Sequence, residues 1–261
     1  MAMTALAILD GIVMPAPDAH ISVSDEGFLR GDGVFEVVRL YDGKPFALDE
    51  HFKRMARSAA NLRLEFSPVD MAEDVTTLLE QAGPVDAALR LVVTRGGRRI
   101  AVIEPLKDMP ATISLATIEY SPTRVMDQIK SLSYGANMLV RRLAVEAGAD
   151  DGLFVTPHGR VLEAPTSSFF YVLDGALFTP PIDDHILDSI TRRHVFTVAE
   201  ASERVTTRDD LASLEEAFLA STLREVHPVH GIDSVKLEAP GPVTARVAEA
   251  MRAHVDAILA S

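Results

Sequence analysis

Apolar and polar positions alternate with a period of two in the first part of the chain, which predicts strands. Thr4–Leu9 and Ile12–Met14 flank Asp10-Gly11, a dipeptide that favours a two-residue hairpin turn. Gly33–Leu40 and Pro45–Leu48 repeat the pattern around Asp42-Gly43. The period then becomes helical at Phe52, Met55, Ala59 and Leu62, with Asp49 placed to cap the helix. A second helix is predicted after Asp70, with Met71, Val75, Leu78 and Leu79 on one side and Gly83-Pro84 ending it. Ala88–Thr94 and Thr112–Ile118 read as buried strands joined by the basic turn Arg95-Gly96-Gly97-Arg98-Arg99.

Tyr120-Ser-Pro-Thr-Arg124 is short and polar and marks the best boundary. We therefore expect a small N-terminal domain over 1–119, a linker over 120–126 and a larger domain over 127–261. The second half begins with a strand-like Ile129–Leu132 and a helix from about Ala136 to Ala147, ended by Gly148. Short strands follow, with turns at His158-Gly159 and Asp174-Gly175. Helices are expected around Thr191–Ala201, near Asp210–Glu216 and over Val243–Leu259. Hairpins mixed with helices predict a mixed α/β (α+β) fold, not a doubly wound parallel sheet.

Charge narrows the function. Lys and Arg number 25 against 38 Asp and Glu, a net −13, which argues against a nucleic-acid or anionic-membrane binder. With no cysteine there is no disulfide, thiolate metal site or cysteine nucleophile. Met1–Ala7 has no secretory pattern, and no apolar run reaches the roughly 20 residues of a membrane span. A cytoplasmic protein is expected.

Chemistry through a lysine has five candidates: Lys44, Lys53, Lys107, Lys130 and Lys236. A nucleophilic lysine must lose its proton near neutral pH, which desolvation favours. Lys44 lies in a turn, Lys53 on a polar helix face, Lys107 in a loop between prolines and Lys236 after a turn. Lys130 alone sits in a mostly apolar or small stretch, Ile129-Lys-Ser-Leu-Ser-Tyr134, at a strand-to-helix junction. An edge-strand lysine is the plain alternative. Downstream, Glu163 lies among apolar and hydroxyl residues, where a carboxylate needs a positive partner.

The order of motifs resembles the class IV aminotransferases, enzymes of fold type IV dependent on pyridoxal 5′-phosphate (PLP). The matching segments are Arg30-Gly-Asp-Gly-Val-Phe-Glu-Val-Val-Arg39, His51-Phe-Lys-Arg54 with Ser58, and Lys130-Ser-Leu-Ser-Tyr134 with Asn137. Glu146-Ala-Gly-Ala-Asp150, Gly159-Arg-Val-Leu-Glu163, Ser167-Ser-Phe169, Ile190-Thr-Arg192, Ser221-Thr222 and Pro228-Val229 continue the series. The resemblance implies a small N-terminal α/β domain, a larger domain with a barrel-like sheet, PLP in the cleft between them, and a homodimer.

It also implies roles. Lys130 would form a Schiff base with PLP and shuttle the proton. Glu163 would pair with the pyridinium nitrogen, keeping the ring an electron sink. Arg54 would clamp the phosphate, with the N-terminus of the helix at Ile190 and Thr191 and with donors from Ser221 and Thr222. Tyr134 would lie close to the ring. Ser168 stands where relatives often have Asn, and Asp188-Ser189 where they have Pro-Gly.

Within the family, an aminotransferase passes the amino group of an amino acid or primary amine to a 2-oxo acid. The alternative, 4-amino-4-deoxychorismate lyase, eliminates pyruvate. Lyases commonly carry threonine where this chain has Val37, so the aminotransferase is preferred. Arg30, Phe35, Arg39 and Arg98 are the candidate substrate contacts, with Arg39 and Arg98 expected to bind a carboxylate. A non-catalytic relative has no reason to keep Lys130, Glu163 and Arg54 together. A metal hydrolase is disfavoured: His227 and His230 flank Pro228, which breaks any helix that could present both, and no His-Glu-x-x-His exists.

Overall fold

The computed structural model describes residues 5–260. They fall into two compact units, one comprising residues up to Asp108 with Ile129–Tyr134 and the end of the chain from Ile258, the other Met109–Gln128 with Gly135–Ala257.

The first unit holds a six-stranded sheet in the order β2-β1-β6-β5-β3-β4, all neighbours antiparallel. Its strands are β1 (Leu6–Leu9), β2 (Ile12–Pro15), β3 (Gly33–Tyr41), β4 (Lys44–Pro45), β5 (Ala87–Thr94) and β6 (Arg99–Pro105). Both expected hairpins form, with Asp10, Gly11, Asp42 and Gly43 all at positive φ as this turn demands. Thr4 lies outside the described residues.

Helices α1 (Glu26–Arg30), α2 (Leu48–Asn61) and α3 (Pro68–Ala82) belong here. Helix α2 starts before Asp49. Ala47, at φ 53°, is its N-cap, and Asp49 and Glu50 lie in the first turn, where carboxylates suit the helix dipole. Helix α3 likewise starts before Asp70, on the Ser67 cap, and stops at Gly83. Val34, Val38, Leu40, Leu89, Leu91, Ala101 and Ile103 form the sheet face that packs on Met55, Ala59, Met71, Val75 and Leu78 of these helices.

Three expectations change. The basic turn leads into β6, an extra strand the sequence reading passed over. Thr112–Ile118 does form a strand, β7 (Ile113–Glu119), but it pairs with strands of the second unit. The chain therefore changes unit after Asp108, ahead of 120–126. Ile129–Leu132 is extended but forms only an isolated bridge, Ser131 to Val34 of β3.

The second unit is an eight-stranded mixed sheet, β11-β10-β9-β12-β13-β7-β8, with β14 added to β13. The strands are β8 (Asp151–Val155), β9 (Ser168–Leu173), β10 (Ala176–Thr179), β11 (Ala201–Glu203), β12 (Glu216–Ser221), β13 (Glu225–Ile232) and β14 (Val235–Lys236). The ends of this order approach each other. Val155 of β8 bridges Val161, Arg160 bridges Thr207, and Arg204 N–H reaches Thr179 O of β10. The sheet thus curls in the barrel-like manner expected.

One face buries Phe169, Tyr171, Leu153, Leu219 and Val229, and the other buries Phe170, Val172, Phe218 and Val195. Burial on both faces explains the unbroken apolar run of β9. Helices α4 (Gly135–Glu146) and α5 (Ile190–Val198) and all but the last turn of α6 (Pro242–Ala260) complete the unit. The expected helix near Asp210–Glu216 is a 3₁₀ turn over Asp209–Ser213, and Glu216 belongs to β12.

Candidate active site

Lys130 is held by its backbone on both sides. Its N–H donates to Ser58 Oγ (3.2 Å), and its carbonyl accepts from Phe35 N–H (3.1 Å). Leu132 N–H then reaches Gly33 O at 2.9 Å. Gly33 permits this approach, since a Cβ there would fall on Val93 O and within 2.6 Å of Leu132 Cδ1. The half-buried amine lies 4.5 Å from the Phe35 ring centre and 5.8 Å from that of Tyr134. Those two rings meet edge to face at 5.1 Å. Lys130, Phe35 and Tyr134 therefore come together.

Arg54 is buried, and its partner was not foreseen. The carboxylate of Glu36 accepts from Arg54 Nε (2.7 Å) and Nη2 (2.6 Å), a bidentate fork, and from His51 Nδ1 (2.8 Å). Glu36 lies on β3 between Val34 and Val38, on the apolar face. Burial works to raise its pKa, but the charge and hydrogen bond of Arg54, with those of His51, hold it at about 2. Burial also pushes the His51 imidazole below its usual value, against the pull of Glu36. Two signals in the sequence pointed to this group: a lone acid at an inward position of an alternating strand, and His51 and Arg54 at i, i+3 on a helix.

In the second unit, Glu163 follows the bridged Arg160–Val161 segment, and its carbonyl accepts from Phe154 N–H of β8 at 3.0 Å. Its Oε1 accepts from Leu187 N–H (3.0 Å). Tyr120 is pushed up by burial and by the Glu163 charge. Ser168 opens β9, and its buried Oγ has no hydrogen bond among the described residues. Ile190 and Thr191, both buried, begin α5, whose Ser189 cap accepts from Arg192 N–H. The first-turn N–H groups of a helix lack intrahelical acceptors and suit an anion. Ser221 ends β12, and Thr222 sits in the turn to β13. A cavity of about 360 Å³ in this unit is lined by Arg124, His158, Arg160 and Asp184 and contains none of these site residues.

The candidate substrate arginines are dispersed. Arg30 pairs with Glu26, and Arg98 with Asp10 at 2.6 Å. Arg39 stands over Tyr41 at 4.7 Å, with Asp86 3.8 Å away. Its Nη1 is buried and bonded to nothing among the described residues. Arg39 shares a strand face with Phe35 by alternation. No group of three or more His, Asp or Glu among the described residues could hold a metal.

Residues 33–232 match the sequence profile of the family described as Amino-transferase class IV. The chain belongs to the class IV aminotransferases. Its relatives include D-alanine aminotransferase of Bacillus licheniformis, 30% identical with 94% of this chain and 95% of that protein covered. A putative branched-chain-amino-acid aminotransferase of Methanocaldococcus jannaschii is 33% identical over 92% and 93%. Among solved structures, a hypothetical aminotransferase from Mycobacterium tuberculosis in its alpha-ketoglutarate- and PMP-bound form superposes with a TM-score of 0.89. It is 26% identical and covers 96% of this chain and 98% of that one. These aminotransferases span the whole fold, so the matching motifs are parts of one shared architecture.

Proposed function

We propose that this aminotransferase uses pyridoxal 5′-phosphate and moves an amino group between an amino acid, or another primary amine, and a 2-oxo acid. The observation that carries the reading is Lys130: a backbone pinned at both its N–H and its C=O, with the amine left over an aromatic face. Bound there, the cofactor supplies an aldehyde for this amine and a ring that draws electrons from the substrate's α-carbon. The amine and the remaining donors suit a phosphorylated aldehyde.

Lys130 Nζ carries the proton to and from the substrate carbon. Arg54, the α5 N-terminus at Ile190 and Thr191, and Ser221 and Thr222 supply N–H and O–H donors for the phosphate. Glu163 would pair with the ring nitrogen and favour its protonated form. Tyr134 flanks the ring, and Ser168 offers a buried hydroxyl that lacks a protein partner. Phe35, Arg30, Arg39 and Arg98 serve the substrate. The alpha-ketoglutarate and PMP in the structure from M. tuberculosis favour the same pairing of cofactor and oxo acid.

A homodimer completes the reading. Val23, Phe28 and Leu29 are 78%, 65% and 54% exposed, apolar area of the kind that marks an interface. Light scattering should give twice the 28.3 kDa chain mass.

A half-reaction screen tests the proposal. Holoenzyme is mixed singly with L-leucine, L-glutamate, D-alanine, D-glutamate and (R)-1-phenylethylamine. At least one should convert the cofactor to its aminated form. Conversion by none, with pyruvate released from aminodeoxychorismate, would establish the lyase instead.

A further inference from the structure

Glu36 is a fully buried carboxylate on the apolar face of β3, hydrogen-bonded to both Arg54 and His51. We propose that Glu36 and His51 are positioning residues that fix the Arg54 guanidinium in the one orientation that meets the cofactor phosphate. The inference rests on the reading of Arg54 as a phosphate ligand.

A buried carboxylate on an apolar strand face is costly, and sealing it to one edge of one arginine is a specific use of that cost. Glu36 spends Oε1 on Arg54 Nε and Oε2 on Arg54 Nη2, which sets the plane of the guanidinium. His51 Nδ1 donates to the same Oε2, the carboxylate being acceptor only. Burial keeps that ring neutral, so it adds a bond without a second charge to compete for Glu36. His51 Nε2 is buried with no partner among the described residues, so the ring's fixed contact in this group is the one to Glu36.

Helix α2 ties this group to the lysine. Arg54 and Ser58 are four residues apart on it, and Ser58 Oγ holds the Lys130 N–H. The guanidinium edge and the lysine backbone are therefore set by one rigid turn of helix. A phosphate anchor and a covalent anchor for one small molecule need such a fixed spacing.

The test compares PLP with pyridoxal, which has the aldehyde and ring but no phosphate. Dissociation constants of both are measured by absorbance titration of the apoenzyme. Glu36→Gln should weaken PLP binding by about tenfold or more while leaving pyridoxal unchanged, because an amide cannot accept both Arg54 donors. His51→Leu should act in the same direction and less, and His51→Asn, which keeps an N–H, should restore the wild-type ratio. If Glu36→Gln does not fold, His51→Leu carries the test. Equal weakening of both aldehydes, or an unchanged ratio, overturns the positioning role. Arg54→Gln separates the two readings. If it lowers the PLP preference and the Glu36 and His51 variants do not, only the positioning role fails. If Arg54→Gln leaves the preference intact, the phosphate reading fails and the positioning role falls with it.

Discussion

The amine of Lys130 stands 4.5 Å from the centre of the Phe35 ring, while the Phe35 N–H holds the Lys130 carbonyl at 3.1 Å. One residue of β3 thus fixes the lysine's backbone and backs its side chain. Ser58 holds the same backbone from the other side, through the Lys130 N–H at 3.2 Å.

Lys130→Arg keeps length and charge but not chemistry, because a guanidinium does not lose its proton at working pH. Turnover and the near-visible absorbance of the holoenzyme should both vanish. The melting temperature of the apoenzyme should stay near that of the wild type, since Lys130 is only half-buried.

Gly33→Ala should displace the lysine segment, because the added methyl meets Val93 O and Leu132. Overpacking of this kind costs about 1–3 kcal/mol of stability, read by urea unfolding. Activity should fall by more than the loss of folded protein explains, since Leu132 is two residues from Lys130.

Much of this was legible in the chain. The two Asp-Gly hairpins and the Met55–Ala59 helix face are local patterns, and local patterns survive folding. Strand β6 was hidden because Ile100 to Ile103 carry no turn residue to separate them from the basic turn. The unit boundary was hidden because β7 is a strand by pattern in either unit, and only its partners β8 and β13 decide which. Glu36 was visible as a misplaced charge, but its partners on α2 are distant in sequence, and no single-strand pattern names them.

Acid should destabilise the protein in two stages. The folded-state pKa of His51 lies below its ordinary 6.5, so the unfolded chain takes up a proton there that the folded chain refuses. Stability is complete above pH 6.5 and falls below it, and His227, lowered first by burial, acts with the same sign. Glu36, held at about 2 against an ordinary 4.5, then loses its contribution as pH falls from 4.5 towards 2. Melting temperature against pH should be flat above 6.5 and decline in both windows. His51→Asn should shrink the upper step and leave the lower one.

Arg39→Ala should raise KM for 2-oxoglutarate more than Arg98→Ala does. Asp10 already matches the Arg98 charge in an exposed pair, whereas the Asp86 carboxylate lies 3.8 Å from Arg39 and Nη1 is buried without a bond among the described residues. Removing the Arg98–Asp10 pair should cost no more than about 1 kcal/mol in stability. Steady-state kinetics with 2-oxoglutarate and with a monocarboxylic oxo acid read the difference.

The most direct measurement is borohydride reduction of the holoenzyme followed by peptide mass mapping. The phosphopyridoxyl group should be found on the peptide bearing Lys130 and on no other. Label on Lys44, Lys53, Lys107 or Lys236, or no label at all after saturation with the cofactor, would contradict the account.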